Sequence, residues 1–114
     1  MLKTLRHITS EGIERVKFSG NFKELSSIGT YWLEIKSSDR LAIANYMSSL
    51  ITDQKALMYV NQPDKYSRIL LISNSLVMNL PVTNTNEILE TDYLTIFATN
   101  NIIITILPEQ NSIL

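Results

Sequence analysis

Residues 93–107, Tyr-Leu-Thr-Ile-Phe-Ala-Thr-Asn-Asn-Ile-Ile-Ile-Thr-Ile-Leu, decide the fold of this chain. Two segments rich in β-branched and aromatic residues, 93–99 and 102–107, flank Asn100 and Asn101. Asparagine tolerates positive φ better than most residues, so the pair predicts a two-residue hairpin turn between two strands.

The predicted hairpin is apolar on both faces. A two-residue turn fixes the register and places Thr99 opposite Ile102 and Phe97 opposite Ile104. One face then carries Tyr93, Thr95, Phe97, Ile102, Ile104 and Ile106. The other carries Leu94, Ile96, Ala98, Ile103, Thr105 and Leu107. A hairpin with one side in water alternates apolar with polar residues, so we expect this one inside a sheet that is covered on both sides.

Five further segments have the composition or alternation of strands. They are residues 2–8, 13–18, 31–35, 67–72 and 75–80. The first two predict an edge hairpin, because charged residues interrupt their pattern. Ser73 and Asn74 predict a second tight turn, which places Ile69, Leu71, Leu76, Met78 and Leu80 on one face.

Two helices are predicted between the strands. Ser37, Ser38 and Asp39 offer N-cap side chains in front of a helix of about fourteen residues. Its apolar stripe consists of Ile43, Tyr46, Met47, Leu50 and Ile51. Asp53 can cap a shorter second helix that ends near Asn61.

Together these elements predict one α/β domain of the α+β type over residues 1–114. We expect a mixed, largely antiparallel sheet of six or seven strands with two short helices on one face. Such helices cover only one side of the sheet, and a large exposed apolar patch is unusual for a soluble monomer. The second face is therefore expected to need a missing C-terminal extension or a partner subunit.

The composition narrows the function classes. The net charge of −1 over 114 residues gives no reason to expect a nucleic-acid-binding protein, because such proteins usually have a basic surface stripe. The absence of cysteine excludes disulfides and thiolate metal sites. No run reaches the roughly 18 apolar residues of a membrane helix, and the first residues lack a signal peptide's apolar core, so we expect the given chain to be soluble and cytoplasmic.

Few side chains suggest chemistry. No nucleophile elbow, catalytic triad or glycine-rich phosphate loop is present, which favours a protein that is not an enzyme. The only histidine, His7, lies in a predicted strand without partners of metal-ligand spacing. The densest acidic set, Glu87, Glu90 and Asp92, could bind a cation through oxygen atoms, although a solvated loop is the simpler interpretation. Trp32 is expected to pack in the core or in an interface.

Three segments resemble the N-terminal cytoplasmic domain of CorA-type magnesium and cobalt transporters. Thr30-Tyr31-Trp32-Leu33-Glu34-Ile35, followed by a capped helix, is similar to the family's Thr-Trp-(Ile/Leu)-(Asp/Asn)-(Ile/Val) strand. The hairpin over 67–80 is similar to a family hairpin. Leu89-Glu90-Thr91, Thr95-Ile96-Phe97 and Asn101-Ile102-Ile103-Ile104-Thr105 resemble the family's Leu-Glu-Thr/Ser, Ser-Ile-Phe and Asn-Phe-Leu-Ile-Thr.

The chain also departs from the family pattern. The transport signature Gly-Met-Asn is absent from these 114 residues. Some members bind a regulatory cation through a Glu-Asp pair at the end of the second helix, where this chain has Met58 and Tyr59. Neither side chain is a hard oxygen ligand of the kind that magnesium prefers.

The resemblance implies a cytoplasmic regulatory domain of a CorA-like divalent-cation transporter in the cell inner membrane. The chain would be the N-terminal part of a longer protein, next to missing C-terminal helices, a membrane segment and neighbouring subunits of a homo-oligomer. No stably bound cofactor is expected. Magnesium or another divalent cation is the ion that the domain could bind, and its candidate ligands are Glu87, Glu90, Asp92 and Asp53. The alternative is a stand-alone, pore-less dimerising adaptor or small-ligand-binding module.

Overall fold

A computed structural model of the chain describes residues 1–62, 68–83 and 91–108. These ranges contain seven strands and two α-helices. The elements are β1 (Leu2–Thr9), β2 (Gly12–Val16), β3 (Thr30–Lys36), α1 (Arg40–Leu50), α2 (Gln54–Asn61), β4 (Arg68–Ile72), β5 (Ser75–Thr83), β6 (Thr91–Thr99) and β7 (Ile102–Leu107). A 3₁₀ turn over Phe22–Glu24 lies in the connector between β2 and β3.

All seven strands form one sheet in the order β2-β1-β3-β7-β6-β5-β4. Every neighbouring pair is antiparallel except β3 and β7, which run parallel. The predicted mixed, largely antiparallel sheet with two helices is therefore confirmed. The apolar hairpin lies inside the sheet, with β7 at its centre.

Both tight hairpins have the predicted register. Thr99 pairs with Ile102 and Phe97 with Ile104 across β6 and β7. Asn100, the first residue of this turn, has a φ of +46°. Ser73 occupies the equivalent position between β4 and β5 with a φ of +52°. Positive φ in the turn matches the right-handed twist of the flanking strands.

Helix α1 is shorter than predicted. Of the three predicted N-cap candidates, Asp39 is the cap, since its Oδ1 accepts the backbone N–H groups of Leu41 and Ala42 at 3.1 Å each. The helix has 11 residues rather than about fourteen. Near its end the hydroxyls of Ser48 and Ser49 donate to the carbonyls of Ala44 and Tyr46, and such side-chain bonds compete with helix continuation.

The core lies between the two helices and one face of the sheet. Strand residues Leu33, Val77 and Ile104 meet the helix residues Met47 and Val60, and all five are almost completely buried. On α2, Ala56 and Val60 are buried, and Leu57 is half-buried.

The positive φ at Asn100 gives a testable consequence. Replacing Asn100 with Val should lower the free energy of unfolding by about 1–2 kcal/mol, because a β-branched side chain is strained in the left-handed region. Asn101 does not have a positive φ, so Asn101→Val is the matched control and should have a smaller effect. Urea unfolding of both variants measures the difference, and equal losses would contradict this account of the turn.

Candidate functional site

The helix-free face is the side of the sheet that points away from α1 and α2. Its region on β4 to β7 is apolar, as the register requires. The residues that form it are Ile69, Leu71, Leu76, Met78, Leu80, Leu94, Ile96, Ala98 and Ile103. Leu71 is 83% exposed and Ile69 is 63% exposed. Contiguous exposed apolar surface of this kind marks an interaction site in most soluble proteins.

The other region of the helix-free face, on β1, β3 and β7, contains a polar cluster. The Arg6 guanidinium lies 4.8 Å from the centre of the Trp32 ring, and the Trp32 Nε1–H donates to the Thr105 hydroxyl at 2.8 Å. Arg6 Nη1 is 3.6 Å from Glu34 Oε1, and the Glu34 side chain is only 5% exposed. The expectation that Trp32 would pack rather than stand free is consistent with these contacts.

The Arg6–Glu34 pair is buried without full hydrogen bonding. Within the described ranges, Arg6 Nη1 and Glu34 Oε2 have no hydrogen-bond partner. Removing charges from water is costly, so the attraction between the two side chains compensates for only part of their desolvation. This pair could not be predicted from the sequence, because it requires the pairing of β1 with β3.

The predicted metal carboxylates are only partly placed by the structure. Glu87 and Glu90 lie outside the described residues. The backbone of Asp92 belongs to β6 and pairs with Val82 of β5. Among residues 1–62, 68–83 and 91–108, no three His, Asp or Glu side chains are close enough to hold a metal ion. Cation binding by this set stays a prediction.

Asp53 is the N-cap of α2, as the sequence also predicted. Its Oδ1 accepts the backbone N–H groups of Lys55 and Ala56 at 3.0 Å each. The bond from Ala56 is the main reason that the pKa of the Asp53 carboxyl is lowered, with contributions from Lys55 and from the Ser73 side chain. The carboxylate is therefore ionised at neutral pH and joins the start of α2 to the β4–β5 turn.

A second polar cluster lies at the end of α2, beside Tyr59. Arg68 Nη2 donates to the Tyr59 and Gln62 carbonyls at 3.2 and 3.0 Å, and to Asn79 Oδ1 at 2.7 Å. Asn79 is completely buried and donates through Nδ2 to the Thr95 hydroxyl. Arg68 thus satisfies carbonyl groups at the end of α2, and its positive charge stabilises the negative end of the helix dipole.

His7 has a packing role in the structure. Its ring stacks on Tyr31, with centroids 4.2 Å apart, and its Nε2 is 2.6 Å from the Ile28 carbonyl. Gly29 adjoins this contact with a φ of +77°, and a Cβ there would lie 2.5 Å from the Ile8 carbonyl. The stack therefore depends on glycine at position 29.

Neither α1 nor α2, the helices of the described ranges, is long and apolar enough to cross a membrane.

Solved structures share this fold. The chain superposes on the full-length CmaX protein with a TM-score of 0.64 and 20% identity, covering 93% of this chain and 34% of that one. On the CorA magnesium transporter from Methanocaldococcus jannaschii the TM-score is 0.62 and the identity 13%, with 95% and 32% coverage. The expected resemblance is confirmed at the level of the fold. The chain spans about a third of the length of each of these proteins.

Sequence comparison gives no further assignment. No protein-family model matches the chain, and no curated protein sequence matches it.

The Arg6–Glu34 pair makes a second testable case. Arg6→Met should lower the free energy of unfolding by about 3 kcal/mol, because the Glu34 carboxylate remains buried without a cation. The double variant Arg6→Met/Glu34→Leu should recover most of that loss. The control Arg15→Met removes an exposed arginine from the same face and should change the stability by less than about 0.5 kcal/mol. Urea unfolding measures these free energies. Equal losses of stability in Arg6→Met and in the control Arg15→Met would contradict this account of the pair.

Proposed function

We propose that this chain forms the cytoplasmic regulatory domain of a CorA-like magnesium or other divalent-cation transporter. The fold supports this assignment, since 95% of the chain superposes on a CorA magnesium transporter. The same superposition covers 32% of that transporter, so the pore of the proposed protein would lie in segments outside these 114 residues. The proposed role is regulatory rather than catalytic.

The helix-free face is the observation that carries the proposal. Its apolar region continues across four strands, and cross-strand pairs such as Leu71 with Leu76 and Met78 with Ile96 lie on it. Burial of apolar surface contributes about 25 cal/mol per Å², so covering this face would contribute strongly to assembly. The proposed cover is formed by later helices of the same protein and by neighbouring subunits.

Regulation by the transported ion requires that the ion bind one conformation more tightly than another. Glu87, Glu90 and Asp92 are the proposed ligands, since carboxylate oxygens suit magnesium. Asp92 belongs to the strand that contributes Leu94 and Ile96 to the helix-free face. Cation binding at this point would therefore act on a strand that also takes part in the proposed assembly.

The alternative is a pore-less adaptor in which two copies of this chain pack their helix-free faces together. The exposure of Leu71 and Ile69 favours it, because self-association would bury both side chains without any additional segment.

A charge in the helix-free face separates these functions. Met78→Glu should leave the 114-residue chain folded, with a loss of about 1 kcal/mol or less, because Met78 is only half-buried there. In the longer protein, which should contain two membrane spans and a Gly-Met-Asn sequence, the same change should disrupt assembly in sedimentation velocity. Leu41→Glu, at a 72% exposed position on α1, is the matched control. A gene without membrane spans, together with a dimer of the 114-residue chain that Met78→Glu dissociates, would establish the adaptor instead.

Magnesium sensing can be measured directly. Millimolar magnesium should release or absorb heat in a calorimetric titration and should raise the melting temperature, because a ligand of the folded state stabilises it. The triple variant Glu87→Gln/Glu90→Gln/Asp92→Asn should lose both effects, with sodium chloride at equal ionic strength as the control. A wild-type chain that shows neither heat nor a shift would exclude a sensor within these residues.

A further inference from the structure

A cavity of about 580 Å³ opens on the helix-covered side of the sheet, near the β6–β7 turn. The connector between β2 and β3 forms one wall, through Asn21, Phe22 and Lys23. The junction between α1 and α2 forms another wall, which includes Thr52 and Asp53. The volume lies within the range of small-molecule sites, roughly 300–1,000 Å³.

The floor of this cavity is apolar. Phe97, Ile102 and Ile104 of the central hairpin line it, together with Leu50 and Ile51 at the end of α1. Phe97, Ile51 and Ile104 also belong to the core, so their positions are fixed by packing. A rigid apolar floor favours ligands with apolar side chains, because little ordering is needed on binding.

The two walls have opposite charge. The Asp53 carboxylate lies at the α1–α2 junction, where it lines the cavity and caps the start of α2. Ser49 and Leu50, the last residues of α1, line the same side. The carbonyl end of a helix carries partial negative charge, and α1 has no basic residue in its last turn. Lys55 interacts with Asp53 but does not line the cavity.

The connector wall is positive. Lys23 is exposed there, and within the described part of the chain it forms no ion pair. An anion such as a fatty acid would meet Lys23 but would leave the Asp53 wall, where the carboxylate already accepts the Lys55 and Ala56 N–H groups, without a favourable contact. A simple amine would leave the positive wall without one. A ligand with separate ammonium and carboxylate groups complements both walls.

We propose that this cavity binds a small zwitterion with apolar side chains, of about dipeptide size. Its ammonium group lies toward Asp53 and the end of α1, its carboxylate toward Lys23, and its side chains on the floor formed by Phe97, Ile102 and Ile104. The proposal does not use Glu87, Glu90 or Asp92, the proposed magnesium ligands, and the helix-free face is on the opposite side of the sheet from this cavity.

The dipeptide Leu-Phe is the probe, added to the 114-residue chain and followed by the amide resonances of residues 97–104. Binding should saturate in the millimolar range, with shifts at Ile102 and Ile104. Asp53→Asn should weaken it roughly two- to fivefold, the effect of one exposed ion pair. Asparagine keeps the helix cap, so the fold is retained. Asp39→Asn is the matched control, because Asp39 caps α1 with the same pattern of bonds but does not line the cavity.

Lys23 is tested by substitution, and the two charged ends of the probe are tested by blocking each of them in turn. Lys23→Gln should weaken binding by a similar factor, whereas Lys17→Gln, outside this cavity, should not. N-acetylated Leu-Phe should bind more weakly and should be insensitive to Asp53→Asn, and the C-terminal amide should be insensitive to Lys23→Gln. The proposal is wrong if Leu-Phe gives no saturable shifts, or if the cavity variants behave like their controls.

Discussion

The structure depends on the register that the two-residue turn between β6 and β7 imposes. With Thr99 opposite Ile102, Phe97 and Ile104 point to the helices, while Ala98 and Ile103 point to the other side of the sheet. Side chains alternate with a period of two, so a slip of one residue would exchange the two sets. Because both sets are apolar, hydrophobicity alone selects the register weakly, and the turn itself has to specify it.

The neighbours of this hairpin follow its register. In the parallel pair of β3 and β7, Leu33 is aligned with Ile104, and both are buried under the helices. On the other side of β6, Val77 pairs with Phe97 and is also buried. The central hairpin therefore decides which residues of the strands beside it enter the core and which form the helix-free face.

Features set by local sequence could be predicted, and those set by long-range contacts could not. Both hairpin turns, the Asp53 cap, the N-cap candidates at 37–39 and the facing of the strands follow from residues within a few positions of each other. The parallel contact of β3 with β7 joins distant segments, so its register could not be predicted from local sequence. The Arg6–Glu34 pair and the Arg68–Asn79 cluster were missed for the same reason. Among the candidate metal ligands, only Asp53 has a described side chain. The structure shows its predicted role as the N-cap of α2, whereas its role as a metal ligand stays a prediction.

The end of α2 is unsuited to a divalent cation, so we do not expect a cation-sensing site there. The resemblance places a regulatory acidic pair at Met58 and Tyr59 in some relatives, but here the Arg68 guanidinium lies 4.8 Å from the centre of the Tyr59 ring. Its hydrogen bonds to the Tyr59 and Gln62 carbonyls use the oxygens that could otherwise bind an ion. A fixed positive charge at this point repels a second cation. We therefore expect any cation response of this domain to arise away from the end of α2. The residues to test are the four carboxylates predicted from the sequence, Glu87, Glu90, Asp92 and Asp53.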